Sequence, residues 1–233
     1  MKKEHIETHN SSGSNLKDVI LGGQDGLVNV LGVILGVAAA TFDTRIIIVA
    51  GLAATFAESI SMAAVAYTST KAAKSYYLSQ LKQEEKEIKE MPKLEKKEIY
   101  DIYYKKGFRG KVLNDIVKTI TGNKKIWLET MMVEELGMLP REYSKPGKSS
   151  FIVGLSAIIG SIIPLIPFFL FEVKLGIIIA LILSALALFI TGTIKAKLTV
   201  GNEFRSGLEM LVIGMVAALT GYLIGYLFGN VNF

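Results

Sequence analysis

The 233-residue chain has no cysteine and only two histidines, His5 and His9. Without thiols it can form neither a disulfide nor a thiolate metal site. Both imidazoles fall in a polar N-terminal stretch, so a zinc site of the usual histidine type is absent from the rest of the chain. No Glu-x-x-His motif exists either, which argues against a di-metal carboxylate oxidase built on facing helices. The two histidines read as incidental residues of an unstructured tail. No repeat of solenoid length and no low-complexity tract beyond the tail is present. A cleavable signal peptide is not expected, because the first apolar block follows a polar tail of about 18 residues and runs too long.

What the chain has in quantity is apolar sequence gathered into blocks. Hydrophobic residues make up 51% of it and mean hydropathy is +0.42, too apolar for an ordinary soluble domain. Five stretches reach the roughly 20 residues that span hydrocarbon: about 20–40, 46–68, 151–171, 175–196 and 208–229. Each must be a helix, because lipid offers unpaired backbone groups no partner. The expected fold is an all-α membrane protein with five transmembrane helices and a helical domain inserted between the second and third. Its boundaries are a tail over 1–18, helices 1–2 over 19–70, the inserted domain over 71–148 and helices 3–5 over 149–233.

Charge orients these spans. Of 26 Lys and Arg, 24 fall in the N-terminal tail, between Lys71 and Lys148, or near the fourth-to-fifth connection, whereas only Arg45 and Lys174 fall in the opposite loops. The positive-inside rule then places the N-terminus and the inserted domain in the cytoplasm and the C-terminus outside. The net charge of +5 is accounted for by topology and lipid headgroups, without nucleic acid. A Lys- and Ile-rich, cysteine-free chain with no targeting extension suits a prokaryotic plasma membrane.

The inserted domain reads as four helical pieces. Ser75–Glu90 continues the second span as a polar helix, and Pro92 suits the first turn of another that runs to about Lys106 and stops at Gly107. A third covers Lys111–Thr121, closed by Gly122 and Asn123. A fourth covers Lys125–Leu136, ended by Gly137 and followed by Pro140, with Leu128, Met131, Met132 and Leu136 as its buried stripe. The segment SKPGKSS then reads as a linker into the third span.

Acids in this domain are patterned. Glu84 and Glu87 are three apart, as are Glu95 and Glu98, so each pair projects from one helix face, and two facing pairs would form an oxygen-rich cage. The same stretch, QEEKEIKEMPKLEKKE, also reads as a solvated helix surface bearing charges of both signs. Met131, Met132, Glu134 and Glu135 form a second candidate cluster, although a Met pair at helical spacing equally serves a core.

Inside the spans, polar residues carry more information. Asp25 lies about five residues, roughly 7.5 Å, into the first span, and Met62 about six residues, roughly 9 Å, from the cytoplasmic end of the second. Glu58 is one turn deeper than Met62 on the same face, near the bilayer midplane, where a carboxylate is expected to face a bundle interior or an aqueous path. Asp25, nearer the interface, reads either as a site residue or as an acid favoured by the helix dipole. Carboxylates with a thioether suit Fe²⁺ or Mn²⁺ better than Mg²⁺ or Ca²⁺. Desolvation favours the neutral form of Glu58 and an arriving dication favours the carboxylate, so metal entry should expel a proton.

The stretches DGLVNVLGVILGVAAA, AESISMAAVAYTSTKA, IIGSIIPLIPFFL and RSGLEMLVIGMVAALTGYLIGYLFG resemble the vacuolar iron transporter family over about residues 21–229. The DGL opening and the Ser-Met pair of the second span are the most specific elements. The resemblance implies a five-helix homodimer with a metal path at the subunit interface, exporting cytosolic Fe²⁺ and often other divalent metals in exchange for protons. It also implies a cytoplasmic helical metal-binding domain. The family's first-span aspartate falls on Asp25, its methionine on Met62, and its cytoplasmic ligands on Glu84, Glu87, Glu95, Glu98, Met131, Met132, Glu134 and Glu135. Where some members carry a membrane glutamate two turns before the methionine this chain has Ala54, and its own acid is Glu58.

The expected function is therefore proton-coupled transport of Fe²⁺, with Mn²⁺, Co²⁺ and Zn²⁺ as further candidates, through Asp25, Glu58 and Met62. No permanently bound cofactor and no enzymatic activity are expected. The expected partners are the metal ion, protons, lipid and a second copy of the chain. The alternative is a membrane-anchored metal sensor or scaffold, which would bind metal without flux.

Overall fold

A computed structural model of the chain describes residues 12–139, 145–199 and 201–229, which are helix and short connections. His5, His9, Pro140 and the C-terminal NVNF lie outside the described residues. Eight helices follow in order: α1 (Ser12–Thr41), α2 (Thr44–Glu90), α3 (Pro92–Lys105), α4 (Gly110–Thr121), α5 (Lys124–Glu134), α6 (Pro146–Leu170), α7 (Val173–Leu198) and α8 (Glu203–Phe228). Two compact units result, residues 1–67 with 147–233, and residues 68–146. Five helices (α1, α2, α6, α7 and α8) are long and apolar enough to cross a membrane, and the protein is an integral membrane protein. At about 1.5 Å per residue, the 47 residues of α2 extend about 70 Å, over twice the thickness of hydrocarbon, so only its apolar first half is needed for crossing.

Two helix starts come earlier than the sequence implies. Residues 12–18, expected as tail, already belong to α1. The linker chemistry of SKPGKSS gives way to helix at Pro146, because proline costs no hydrogen bond in a first turn. Ser150 of this turn donates to the carbonyl of Ala63 at 2.8 Å, which ties α6 to α2.

In the membrane unit, α1 forms the centre. Val30, Leu31, Ile34, Leu35 and Ala38 pack with Ile47 of α2, Leu165 and Phe168 of α6, Val173 and Ala180 of α7 and Ala218 of α8. Dispersion and close fit hold such a core together, since lipid is as apolar as the side chains. The small residues Gly32, Gly36 and Ala40 of α1 lie against Gly221 and Gly225 of α8 and Gly229 just beyond it. A Cβ added at Gly36 would stand 2.9 Å from the carbonyl oxygen of Gly221, so the approach requires glycine there.

The 68–146 unit has its own core of Ile88, Ile99, Leu113, Val117, Ile120, Trp127 and Met131. Gly107, at φ 102°, turns the chain out of α3, a conformation that side chains with a Cβ rarely adopt. Asn123, expected to close α4, donates its N–H to the Ile120 carbonyl at 3.3 Å and also caps α5: its side chain accepts from the backbone N–H groups of Lys125 and Ile126 at 3.0 and 3.3 Å. The last helix ends at Glu134 rather than Leu136, with Gly137 at φ 64° just beyond.

Candidate functional site

Among the described residues, acids converge once in each unit. In the membrane unit, Asp25 on α1 and Glu58 on α2 are brought together: both are partly exposed, and Asp25 and Asn29 lie within hydrogen-bonding reach of the Glu58 carboxyl. The neighbouring stripe of α2 faces inward. Thr55 and Ser59 are buried and bond back to the carbonyls of Gly51 and Thr55 at 2.8 and 2.6 Å. That arrangement satisfies their hydroxyls within the helix and leaves Glu58, on the next stripe, beside the α1 acid. Met62 is partly exposed one turn from Glu58.

In the 68–146 unit, the carboxylates of Glu84, Glu87 and Glu95 each offer an oxygen within 4.8 Å of the others. α2 supplies the first two and α3 the third, with Met91 and Pro92 making the turn between the helices. Glu84 and Glu95 are 4% and 3% exposed, and Glu84 Oε1 and Glu95 Oε2 have no hydrogen-bond partner among the described residues. Buried, unpartnered carboxylate oxygens in one such group are costly unless protons or a cation join them.

Electrostatics bear this out. Burial, then a hydrogen bond to Glu95 and the charges of Glu95, Glu135 and Glu87, push the Glu84 carboxyl up to about 8. Burial and the charges of Glu135, Glu95 and Glu87 push Glu98 up to about 7. Glu135 is also raised, by burial and by Glu95 and Glu87. Glu85 shows the opposite case: Lys124 at 3.1 Å and Lys89 at 3.2 Å hold it below the ordinary carboxylate value. Adjacent residues of one helix thus divide into a surface ion pair and a repelling cluster.

Other candidates fall differently. Glu134 forms an ion pair with Lys106 at the end of α3, so the acid that faces the cluster is Glu135, just beyond α5. Met131 is wholly buried in the core with Ile88, Ile99 and Trp127. Met132, 1% exposed, stands one turn before Glu135.

With this geometry in view, a profile of the VIT family matches residues 16–226. The chain belongs to the VIT family. It is similar to vacuolar iron transporter 1 of Tulipa gesneriana, 31% identical over 221 residues that cover 94% of this chain and 90% of the relative. The vacuolar iron transporter of Plasmodium falciparum is 32% identical over 237 residues, 97% of this chain and 87% of the relative. Vacuolar iron transporter 1 of Arabidopsis thaliana is 28% identical over 219 residues, 94% and 88%.

Membership places this VIT-family chain among transporters and not among enzymes. Two of its residues escape a reading of sequence alone. Asn29 approaches Glu58 from one turn beyond Asp25, and a polar side chain four residues after an intramembrane acid is the signal that marks it. Trp127, the only tryptophan, is 8% exposed in the core shared with Ile88 and Ile99, the residues next to Glu87 and Glu98.

Proposed function

We propose that the protein moves Fe²⁺, and with it Mn²⁺ and related divalent metals, across its membrane in exchange for protons. The carrying observation is the Glu58 carboxyl in an apolar helix, within reach of Asp25 and Asn29. A carboxyl placed in an apolar helix beside a second acid offers a seat to a hydrogen ion or to a dication. Metal arriving from one side displaces the proton, and protons arriving from the other displace the metal. Met62, on the same face one turn away, adds a thioether that favours later first-row ions over Mg²⁺ and Ca²⁺.

The orientation proposed is cytoplasmic for the N-terminus and for the 68–146 unit, following the positive-inside rule. In that unit Glu84, Glu87, Glu95, Glu98 and Glu135 collect cytosolic metal, with Met132 as a supporting ligand. A twofold assembly, placing two copies of Asp25, Glu58 and Met62 about one path, rests on likeness to the family.

The test is metal uptake into proteoliposomes across a defined pH gradient, with Fe²⁺, Mn²⁺, Co²⁺ and Zn²⁺ compared. Flux should require the gradient, and Glu58→Gln should abolish it while metal still binds the 68–146 unit. Wild-type, pH-dependent flux by Glu58→Gln would overturn the assignment of this residue. Metal binding by the wild type without flux would favour the sensor or scaffold reading.

A further inference from the structure

Charge on α3 is segregated. Glu95 and Glu98 point toward the acidic cluster, whereas Lys93, Lys96, Lys97 and Tyr100 occupy the roughly opposite face and are exposed. Lys93 and Lys97 are four apart and Lys93 and Lys96 three apart, spacings at which like charges repel along a helix. These lysines, together with Asp101, Asn114, Val117 and Lys118, line a cavity of about 670 Å³ between α3 and α4. None of the four lysines, nor Asp101, takes part in an ion pair among the described residues.

That isolation is not general in this unit, where Lys86, Lys89, Lys106, Lys124 and Lys125 all find a carboxylate. Four uncompensated ammonium groups and one carboxylate leave the cavity with about three positive charges. Lysine acts as a point charge and suits tetrahedral phosphate, and the absence of arginine from the lining speaks against planar carboxylate recognition. The Tyr100 hydroxyl and the Asn114 amide add neutral donors. Tyr100 is braced by stacking on Tyr104, with ring centroids 6.2 Å apart and planes 14° from parallel. The volume lies in the range of small-ligand sites, roughly 300–1,000 Å³.

We propose that this α3–α4 cavity binds an anion carrying two or three closely spaced phosphates, at a site separate from the acidic cluster. The phosphates bridge Lys93, Lys96 and Lys97 on α3 to Lys118 on α4, relieving the repulsion on α3.

The test is calorimetry on the full-length protein in nanodiscs of zwitterionic lipid, free of metal, titrated with sodium tripolyphosphate. One saturable site per chain is expected, steeply weakened by added salt. Lys97→Gln/Lys118→Gln should weaken it about tenfold or more, each exchange removing one charge-assisted contact. Both lysines are exposed, so the double variant keeps its fold, which circular dichroism checks. Glu84→Gln should leave the affinity unchanged. Two competition arms identify the source of the phosphates: displacement by ATP indicates a soluble nucleotide, and displacement by phosphoinositide in the nanodisc indicates a lipid headgroup. Absence of saturable binding, equal binding by the double variant, or loss of binding in Glu84→Gln would each overturn the proposal.

Discussion

Loading the acidic cluster with metal should release a countable number of protons. Glu84 is pushed up to about 8 and Glu98 to about 7, so at pH 7 the first is about nine-tenths protonated and the second about half. A dication among them drives both to carboxylates, and this pair alone releases about 1.4 protons at pH 7, about 1.9 at pH 6 and about 0.1 at pH 9. By linkage, apparent affinity then falls roughly 50-fold between pH 7 and pH 6 and flattens above pH 9. The assay is calorimetry with Mn²⁺, which resists air oxidation, repeated in buffers of different ionisation enthalpy so that proton release is read directly. Glu84→Gln removes the larger source and should leave about 0.5 proton at pH 7 with weaker binding. Any contribution from the membrane site is common to both proteins and cancels in the difference. Equal proton counts for the two, or an affinity indifferent to pH between 6 and 8, would refute the argument.

Three further outcomes follow from the fold. Gly36→Leu forces a side chain against the Gly221 carbonyl and should cost about 1–3 kcal/mol, seen as a melting temperature lower by several degrees in detergent; an unchanged melt would contradict the close α1–α8 contact. Trp127 sits in the core with Ile88 and Ile99, so its emission should respond when Mn²⁺ is added and lose that response in Glu95→Gln; a silent wild type would count against metal loading between α2 and α3. Because the Glu84 carboxyl is raised from 4.5 to about 8, its contribution to stability is fully present below about pH 4.5 and is lost as pH rises toward 8. Thermal melts of the metal-free protein should therefore fall across that window, and flat melts would argue that the group titrates normally.

Much of this architecture was legible because membrane and helix physics leave few options. Apolar blocks of span length, the polar continuation of the second span and the Pro92 and Gly107 punctuation correspond to α2 and α3 closely. Boundaries were less legible: Ser12 and Pro146 are helical because polar residues extend a helix already nucleated by its apolar neighbours, a cooperative effect that residue-by-residue composition does not carry. For the acids, a spacing of three shows which side chains share a face, but not which faces will meet. Glu134 and Glu135 differ by about 100° around their helix, and only the packed structure sends one to Lys106 and the other toward Glu95 and Glu87. Met131 shows the same limit, since a thioether at helical spacing serves a ligand set or a core equally well until its neighbours are known.

The orphaned oxygens of Glu84 and Glu95 make the resting module intrinsically frail. Anything that binds only the folded form stabilises it by mass action, so iron scarcity would leave this part of the chain more often ajar and within reach of proteases. On the proposed reading of the cluster, abundance of the transporter would then follow the supply of metal without a dedicated regulator.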